Sequence, residues 1–499
     1  MNPTLAQAYS PDAFRQMGHA LIDQLADQLE ATLSRQTGQA IPYHDPDTAF
    51  AHWQADSQQP LLDDPMPLFA DIIARSTRLH HPRYMGHQVS PVAPAAALGG
   101  LLTEFLNNGS AVYEMGMAGN AIERIVIEHT ARHIGYVPTD AATPAEQPGG
   151  IITSGGTLGN LTALLTARAR LPQDVWHEGN GSQKLAIMVS AEAHYCIDRA
   201  ARIMGLGEMG ILKIPTDEQF KLRTDLLEAT YLNARAAGLT VFAIVGSGCT
   251  TSTGSHDDLT AIGAFARQHN LWFHVDAAHG GGAFFSPTYR HLLAGSEQAD
   301  SVVIDYHKML MVPALATVVV YKRAADSHRT FQQRAQYLWD NHTTGAADWY
   351  NTGKRTFECT KFMAAVKVYT LMRLYGDELF RANVDTLYGL GHTFARLVRQ
   401  RLTFDLPGEP ECNLVCFRYV GAARFSDEQL NNLNQQLRTD SLNDGRFYIV
   451  QTTLRHQTYL RVSLMNPFTT ETDLTELLDW LEQRADALLA QTDPLPNQP

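Results

Sequence analysis

Short apolar runs alternate with amphipathic stretches through the middle of the chain. Apolar residues at helical spacing predict helices between these runs. Runs rich in β-branched and aromatic residues predict buried strands at 151–153, 184–190, 240–245, 272–275 and 301–304. Strand–helix units of this length, repeated along the chain, indicate an α/β fold with a mostly parallel sheet and helices on both of its faces.

The N-terminal part of the chain follows another pattern. Ser10 and Pro11 predict the start of an amphipathic helix that continues to about residue 35. This helix either packs on the rest of the chain or lies across a partner subunit. Residues 36–66 are rich in Gln, Asp and Pro and predict an irregular connection.

The last hundred residues predict a small α+β domain. Its strands are expected at 413–419, 446–451 and 459–464, and Thr470 with Asp473 is typical of a capping box at the start of the final helix. The expected domains are an N-terminal helical segment at 1–95, a large domain at 96–375 and the small domain at 376–499.

Composition narrows the class of protein. The 499 residues are 44% hydrophobic and 18% charged, which is typical of a globular protein. A net charge of −13 argues against a nucleic-acid partner. No apolar run reaches the roughly 18–20 residues of a membrane helix, and the first residues lack a secretory pattern. Five scattered cysteines suggest reduced thiols, so we expect a cytoplasmic protein with no membrane partner.

A glycine-rich turn follows the first strand of the α/β region. Ser154, Gly155, Gly156 and Thr157 stand where a strand passes into a helix. Glycines let the backbone approach a ligand, and a helix N-terminus offers free N–H groups to an anion. The turn lacks the spacing of a P-loop or of a dinucleotide-binding motif. It is therefore either a phosphate site or a plain glycine turn.

Charged residues follow the next two strands. Asp276 ends the strand at 272–275, and His307 and Lys308 come soon after the strand at 301–304. A lysine buried at a strand end needs either a paired charge or a lowered pKa. A lysine that attaches covalently to an aldehyde needs a lowered pKa, so this role favours the second possibility. A phosphate site, a carboxylate and such a lysine together fit pyridoxal phosphate, which needs all three.

These residues also carry a family resemblance. The run His274-Val275-Asp276-Ala277-Ala278, followed thirty-two residues after Asp276 by Lys308, resembles the group II pyridoxal-phosphate amino-acid decarboxylases. The resemblance extends from about His81 to Pro467. It implies a fold-type I, aspartate-aminotransferase-like enzyme that forms a homodimer, with the 80–115 segment or a mobile loop near the partner's cofactor.

The resemblance also implies roles for individual residues. Lys308 would bind the cofactor aldehyde, Asp276 its ring nitrogen, and His194 would stack on its ring. Tyr337 would protonate the substrate carbon after CO₂ loss, and Arg461 would receive a substrate carboxylate. The other expected cofactor contacts are Gly155, Gly156, Thr157, Asn160, Thr251, Ala278 and His307. No metal ligand is expected.

Two positions depart from the family pattern. His279 stands where an aromatic residue is usual, and Asp305 stands where many members have asparagine near the phosphate. Since a carboxylate that faces a phosphate is unfavourable, we expect Asp305 to turn away or to be hydrogen-bonded elsewhere.

The substrate is less sharply indicated. Residues 82–84 and 107–114, with Tyr113, resemble the glutamate and cysteine-sulfinate branch, and His87 stands near the place of a substrate-contacting glutamine. A small acidic amino acid is therefore the leading expectation. An aromatic or basic substrate such as diaminobutyrate stays open, because the run 305–308 also resembles diaminobutyrate-type enzymes.

Two other classes of function are alternatives. An aminotransferase or an aldehyde synthase could use the same lysine, although Tyr337 and His194 together speak against both. A scaffold without turnover would lack the lysine, the aspartate or the loop tyrosine, and this chain has all three.

Overall fold

The computed structural model describes residues 2–138, 143–331, 348–421 and 425–492. The chain divides into two compact units. The terminal unit comprises Met1–His87, Thr393–Pro407 and Cys416–Pro499, and the sheet unit comprises Gln88–His392 and Gly408–Val415. Helices and strands are numbered below in chain order.

The sheet unit is built on a mixed, mostly parallel sheet. Its order among the described residues is β1-β7-β6-β5-β4-β2-β3, in which β7 runs antiparallel to both of its neighbours. The strands are β1 Gly149–Thr153, β2 Lys184–Ser190, β3 Ile211–Ile214, β4 Leu239–Ser247, β5 Trp272–Asp276, β6 Ser301–Asp305 and β7 Thr317–Tyr321. The predicted α/β class and mostly parallel sheet are confirmed.

Helices precede, connect and follow these strands. They are α5 Pro94–Leu106, α6 Tyr113–Gly116, α7 Ala118–Ile134, α8 Gly156–Ala169, α9 Val175–Glu178, α10 Tyr195–Ile203, α11 Leu227–Ala236, α12 Leu259–Gln268, α13 Ala324–Ser327 and α14 Ala365–Arg399. Short 3-10 helices are Glu208–Gly210, Thr224–Leu226, Gly280–Phe285, Arg290–Leu293, Ser296–Gln298 and Thr352–Lys354. Apolar faces of α8 and α10 pack with β1, β2 and β4 into a fully buried core. Gly376 interrupts α14 at φ 61°.

The terminal unit combines helices with a second sheet. The helices are α1 Pro3–Ala8, α2 Pro11–Leu33, α3 Pro46–Asp56, α4 Met66–Arg75, α15 Asp427–Asp444 and α16 Glu471–Thr492. The sheet has the order β10-β11-β9-β8, with β8 Phe404–Asp405, β9 Leu414–Tyr419, β10 Val450–Leu454 and β11 Gln457–Ser463. None of the described helices has the length and apolar composition needed to cross a bilayer.

Two local predictions were wrong. The stretch 36–66 contains α3, because Asp45 caps its N-terminus by accepting a hydrogen bond from the Thr48 N–H (3.0 Å) and Pro46 opens its first turn. The strand expected at 446–451 lies at Val450–Leu454. Its position is set by the tight turn to β11, where Arg455 and His456 both have positive φ.

The capping box of the last helix is confirmed. The Thr470 hydroxyl accepts a hydrogen bond from the Asp473 N–H, and the Asp473 carboxylate accepts one from the Thr470 N–H (3.0 Å). The same carboxylate pairs with Arg35 and Arg83, so α16 is tied to the N-terminal part of the terminal unit.

Candidate active site

Two neighbouring strands bring two carboxylates to the same edge of the main sheet. Asp276 is the last residue of β5, and Asp305 is the last residue of β6. These strands are parallel and paired in register, with Asp276 opposite Val303. Their carboxyl ends therefore open at one edge, which is where α/β sheets bind ligands.

A cavity of about 320 Å³ opens at this edge. Every cofactor-contacting residue predicted from the sequence lines it. The lining residues are Ser154, Gly155, Gly156, Thr157, Asn160, His194, Cys196, Cys249, Thr251, Asp276, Ala278, His279, Asp305, His307, Lys308 and Leu315. Residues separated by 150 positions in sequence thus meet in one pocket of the sheet unit.

The glycine turn forms one wall of this cavity. Gly155 precedes α8 with φ 101°, a conformation that favours glycine, and no side chain caps the helix. A Cβ added to Gly156 would lie 3.1 Å from both carboxylate oxygens of Asp305. An anion can therefore approach the first N–H groups of α8 closely, because the glycines of the turn have no side chains to block it.

Asp276 is oriented by the backbone that follows it. Its Oδ1 accepts a hydrogen bond from the Ala278 N–H at 3.1 Å, and the residue is buried at 8% exposure. A carboxylate fixed in this way at a strand end can hold a cationic ring nitrogen.

Lys308 is paired, and its pKa is not lowered. Burial alone would lower the pKa of Lys308, but the charges of Asp305 and Asp276 outweigh burial and raise it. The Lys308 Nζ lies 3.0 Å from Asp305 Oδ2. The expectation of a lowered pKa was wrong, because the sequence did not reveal how closely Asp305 approaches the amine.

Asp305 does not turn away from the cavity. Its Oδ1 accepts a hydrogen bond from the Thr317 hydroxyl at 2.5 Å, and His307 Nε2 lies 3.6 Å from its Oδ2. Burial raises the pKa of Asp305, but Lys308 and His307 outweigh burial, so the net pKa is lowered and Asp305 is an anion. Of the two predicted outcomes, hydrogen bonding is the one observed.

His194 begins helix α10 at the cavity wall. Its Nδ1 accepts a hydrogen bond from the Cys196 N–H at 3.3 Å. Burial lowers the pKa of His194; Asp276 partly opposes this effect and Lys308 adds to it. A neutral imidazole held by its backbone contact is suited to stacking against a planar ring.

Asn160 is held from behind by a buried histidine. The Asn160 Oδ1 lies 2.7 Å from His274 Nε2, and its amide donates a hydrogen bond to Cys196 Sγ at 3.3 Å. Burial lowers the pKa of His274 to about 4, so this ring is neutral. His274, inside the motif that carries the resemblance, therefore positions Asn160 rather than lining the cavity itself.

Some residues that shape the cavity were not predicted. Cys249 lines it, and its Sγ lies 4.0 Å from that of Cys412. Thr317 fixes Asp305, and the Ser90 hydroxyl donates a hydrogen bond to the Lys308 carbonyl at 2.6 Å. Thr317 could have been found by pairing β7 with β6, since Asp305 stands opposite Thr317 in that register. Ser90 has no local sequence signal.

His279 also lines the cavity. Its Nε2 lies 2.9 Å from the Asn413 side-chain oxygen, within the sheet unit, and the ring is 3% exposed. The residue that departs from the family pattern is thus a buried, hydrogen-bonded wall of the pocket.

The predicted substrate residues lie elsewhere. Among the described residues Tyr113 does not line the Lys308 cavity; its N–H donates to Asn351 Oδ1 (3.1 Å), and its ring packs on Tyr350. His87 and Arg461 belong to the terminal unit. Tyr337 falls within 332–347, outside the described residues.

Within the terminal unit, His87 lies near positive charge. Arg461 is a buried residue of β11, 8% exposed. Partial burial lowers the pKa of His87, and the charges of Arg461 and Arg438 lower it further. This group of residues has the positive charge that would attract a carboxylate.

The cavity fits pyridoxal phosphate in its donor set. The glycine turn can receive the phosphate, Asp276 can hold the ring nitrogen, and Lys308 offers the amine, with all three in one pocket of the sheet unit. Asp305 does not oppose this fit, because Lys308 and Thr317 already bind its oxygens.

Comparisons with known proteins agree with this chemistry. A family model described as "Pyridoxal-dependent decarboxylase conserved domain" matches residues 46–420. Aspartate 1-decarboxylase of Aliivibrio fischeri is 31% identical over 471 residues, which cover 86% of this chain and 84% of that protein. L-2,4-diaminobutyrate decarboxylase of Rhizobium meliloti is 30% identical over 410 residues and 82% of this chain, and 79% of that protein is covered.

A mouse protein is similar in both sequence and fold. Cysteine sulfinic acid decarboxylase of Mus musculus is 28% identical over 423 residues, which cover 82% of this chain and 83% of that protein. The crystal structure of mouse CSAD in apo form has a TM-score of 0.84 at 24% identity, covering 95% of this chain and 99% of that chain. The fold of the described residues is therefore the fold of that enzyme.

Proposed function

Because this chain belongs to the pyridoxal-dependent decarboxylase family, we propose that it releases CO₂ from a small acidic L-amino acid, such as aspartate, glutamate or cysteine sulfinate. The protein is a pyridoxal-phosphate-dependent carboxy-lyase. The observation that carries the acidic substrate is the buried cation Arg461, whose charge, with that of Arg438, acts on His87. Similarity to an aspartate decarboxylase over most of the chain supports the same choice.

Arg461 suits a carboxylate for a physical reason. A guanidinium presents two parallel N–H donors that match the two oxygens of a carboxylate, and burial strengthens this interaction. A neutral His87 beside it can donate one further hydrogen bond without adding charge. Together they favour an anionic group on the substrate.

A basic substrate is the second candidate, because the chain is also 30% identical to a diaminobutyrate decarboxylase. A second ammonium group would need an acidic partner and would be repelled by Arg461 and Arg438. An aromatic substrate would need an apolar pocket instead.

The residues of the cavity divide the work of decarboxylation. The bound cofactor supplies an electron sink for the electron pair left when CO₂ departs. Asp276 would keep the ring nitrogen protonated, His194 would hold the ring face, and Lys308 would anchor the aldehyde carbon. The N–H groups at the start of α8 fix the phosphate. Each residue thus acts on a different atom of one planar group.

Proton delivery decides the product. We infer that Tyr337 donates the proton to the substrate Cα, which yields the amine; a proton delivered to the cofactor's C4′ would lead to transamination. Tyr337→Phe should shift products towards the aldehyde. Release of amine and CO₂ alone by this variant would exclude that role.

The substrate proposal is tested by CO₂ release from the holoenzyme. The panel comprises aspartate, glutamate, cysteine sulfinate, 2,4-diaminobutyrate, lysine, tyrosine and tryptophan. We expect the highest kcat/KM for one of the three acidic compounds. A preference for diaminobutyrate or for an aromatic amino acid would contradict the acidic substrate but not the decarboxylase.

A paired variant tests Arg461 itself. Arg461→Met should lower kcat/KM for the acidic substrate by about 10- to 100-fold, because a charged hydrogen bond is worth about 1.5–3 kcal/mol. Arg461→Lys should recover part of this loss. Arg446→Gln removes a surface arginine of the same unit that contacts its sequence neighbours Asp444 and Phe447, and should leave kcat/KM unchanged. Equal activity in Arg461→Met and wild type would exclude the carboxylate role.

We also propose that the protein is a homodimer. Helix α5 exposes a row of large apolar side chains, Leu98, Leu101, Leu102 and Phe105, which are 50–66% exposed in the single chain. Tyr113 lies outside the lining of the Lys308 cavity, which is expected if it serves the partner's cofactor. Phe105→Glu should produce monomers in light scattering, while Leu61→Glu, at a side chain 99% exposed, should not. A wild-type monomer with full activity would contradict the dimer.

We also propose that the protein is cytoplasmic. None of the five cysteines forms a disulfide in the part of the chain that the structure describes, and Cys359 is exposed. Free surface thiols persist in a reducing compartment. Cell fractionation should find the protein in the cytosolic fraction, and recovery from an oxidising compartment would contradict the proposal.

A further inference from the structure

Two histidines of α7 and an aspartate of α14 meet outside the cavity that contains Lys308. His129 Nε2 lies 2.8 Å from Asp377 Oδ1, and His133 Nε2 lies 3.0 Å from Asp377 Oδ2. The ligand atoms of the three residues all lie within 4.8 Å of one another. Neither the cofactor pocket nor the substrate residues include any of them.

We propose that His129, His133 and Asp377 bind a transition-metal ion, of which Zn²⁺ is the simplest example. Two histidines at positions i and i+4 lie on one face of a helix, which is a spacing that zinc sites use. Two imidazole nitrogens and one carboxylate oxygen suit Zn²⁺, Co²⁺, Ni²⁺ or Cu²⁺, whereas Mg²⁺ and Ca²⁺ prefer oxygen ligands. Three protein ligands leave a fourth position for water.

The observed distances are close to those that a metal requires. Ligands about 2.1 Å from a tetrahedral Zn²⁺ lie about 3.4 Å from one another. The two histidine–aspartate distances, 2.8 and 3.0 Å, are made to different oxygens of Asp377, and each needs to lengthen by about half an ångström. The ligand atoms all lie within 4.8 Å of one another, so the side chains need to shift by no more than about 1–2 Å to surround one ion. His129 Nε2 makes no hydrogen bond of acceptable geometry despite its proximity to Asp377. A metal ion would satisfy this nitrogen better than the carboxylate does.

The surroundings both fix the rings and leave them accessible. Phe285 packs against both imidazoles, with ring centroids 6.0 Å from His129 and 4.3 Å from His133. The side chains of the two histidines are 15% and 22% exposed, and Asp377 is 45% exposed. Asp377 directly follows Gly376, whose φ of 61° redirects α14. The site is thus preorganised but open to an ion from solvent.

A metal here would tie α7 to α14. Thr130 stands between the two histidines in the sequence. Its hydroxyl lies 2.8 Å from the hydroxyl of Tyr306, which immediately follows Asp305. The rings of Phe285 and Phe380 pack on Tyr306. The ion would therefore stabilise the packing around Tyr306, next to the end of β6, without contacting the reacting atoms.

Metal binding is measured on tag-free holoenzyme dialysed against ZnCl₂. We expect one tightly bound Zn²⁺ per chain. His133→Gln and Asp377→Asn should each weaken Zn²⁺ binding by more than 100-fold, because loss of a residue that only supports a ligand already costs about 10- to 100-fold. His177→Gln is the matched control, because His177 pairs with Asp174 alone at the surface and should bind as wild type does. Circular dichroism and cofactor absorbance verify that each variant is folded.

Two further readouts separate a metal site from a hydrogen-bonded cluster. Co²⁺ should give the visible spectrum of a tetrahedral site in wild type and not in Asp377→Asn, and Zn²⁺ should raise the Tm of wild type but not of His133→Gln. Absence of stoichiometric Zn²⁺ binding, or binding that these variants leave unchanged, would overturn the proposal.

Discussion

The ends of β5 and β6 carry the same residue in different surroundings. Asp276 receives a hydrogen bond from the Ala278 N–H, and Asp305 is held by the Thr317 hydroxyl and by the Lys308 amine. The two residues lie on adjacent parallel strands. The comparison teaches that partners, and not residue type or position in the sheet, distinguish the two carboxylates: Asp305 pairs with the Lys308 amine, whereas Asp276 is the one that we propose for the cofactor ring.

Removing the lysine that distinguishes the two ends should have the largest effect. Lys308→Ala is expected to lower CO₂ release on the order of 10³-fold or more, since residues that bind the reacting group act as a unit. Lys213→Ala, a surface lysine paired with Asp198, is the control. A Lys308→Ala variant with near-normal turnover and cofactor absorbance would show that Lys308 neither binds the cofactor nor is needed for turnover.

Neutralising Asp276 should have the next largest effect. Asp276→Asn is expected to lower kcat by about 10²- to 10⁴-fold, the range typical of a lost proton-holding group. Cofactor attachment to Lys308 should persist, because the amine is retained. The loss of the Asp276 charge should also lower the pKa of Lys308, but by less than the loss of the Asp305 charge does. Turnover of the cofactor-saturated variant is the measurement, and a kcat within a few-fold of wild type would show that Asp276 does not set the charge of the ring.

Neutralising Asp305 should act on Lys308 instead. Asp305 is one of the charges that raise the pKa of Lys308, so Asp305→Asn should lower that pKa. Only the unprotonated amine attacks the cofactor aldehyde, so uptake of pyridoxal phosphate by the apoenzyme rises with pH. The rise should move to lower pH in the variant. Stopped-flow absorbance measures it, and an unmoved or upward-shifted profile would exclude the pairing.

The smallest effect is expected from Thr317. Thr317→Val removes one hydrogen bond to Asp305, worth about 1 kcal/mol. Asp305 keeps its charge, but its carboxylate is held less firmly beside the Lys308 amine, so the uptake profile should shift in the same direction as in Asp305→Asn but by less. Thr386→Val removes a hydroxyl that bonds only within its own helix and serves as the control. A shift larger than that of Asp305→Asn would mean that Thr317 acts on Lys308 by another route.

Much of the site could be predicted from the sequence because it lies on regular elements. Buried strands have short, recognisable patterns, and chemistry at their ends follows from the rule that parallel strands open at one edge. The glycine turn, Asp276 and Lys308 were placed in this way, His194 was placed by the family resemblance, and the α/β class was confirmed. The glycine turn, Asp276 and Lys308 together predicted the cofactor, and the specific motif around Asp276 and Lys308 supported that prediction.

Contacts that depend on how distant strands pair were not predicted. The raised pKa of Lys308 depends on how Asp305 is held by Thr317, and this pairing requires the antiparallel register of β7 with β6. The terminal unit draws on three separate stretches of the chain, which no shift in composition marks. The boundaries at 95 and 375 and the role of Tyr337 stay predictions.

The division of labour between the two aspartates is tested most directly by assaying Asp276→Asn and Asp305→Asn side by side. Each is measured once for the pH profile of cofactor uptake by the apoenzyme and once for turnover after saturation with pyridoxal phosphate. We predict that Asp276→Asn loses turnover, and that Asp305→Asn shifts the uptake profile and keeps the larger share of turnover. The reverse assignment, or equal effects of both variants in both assays, would contradict the account.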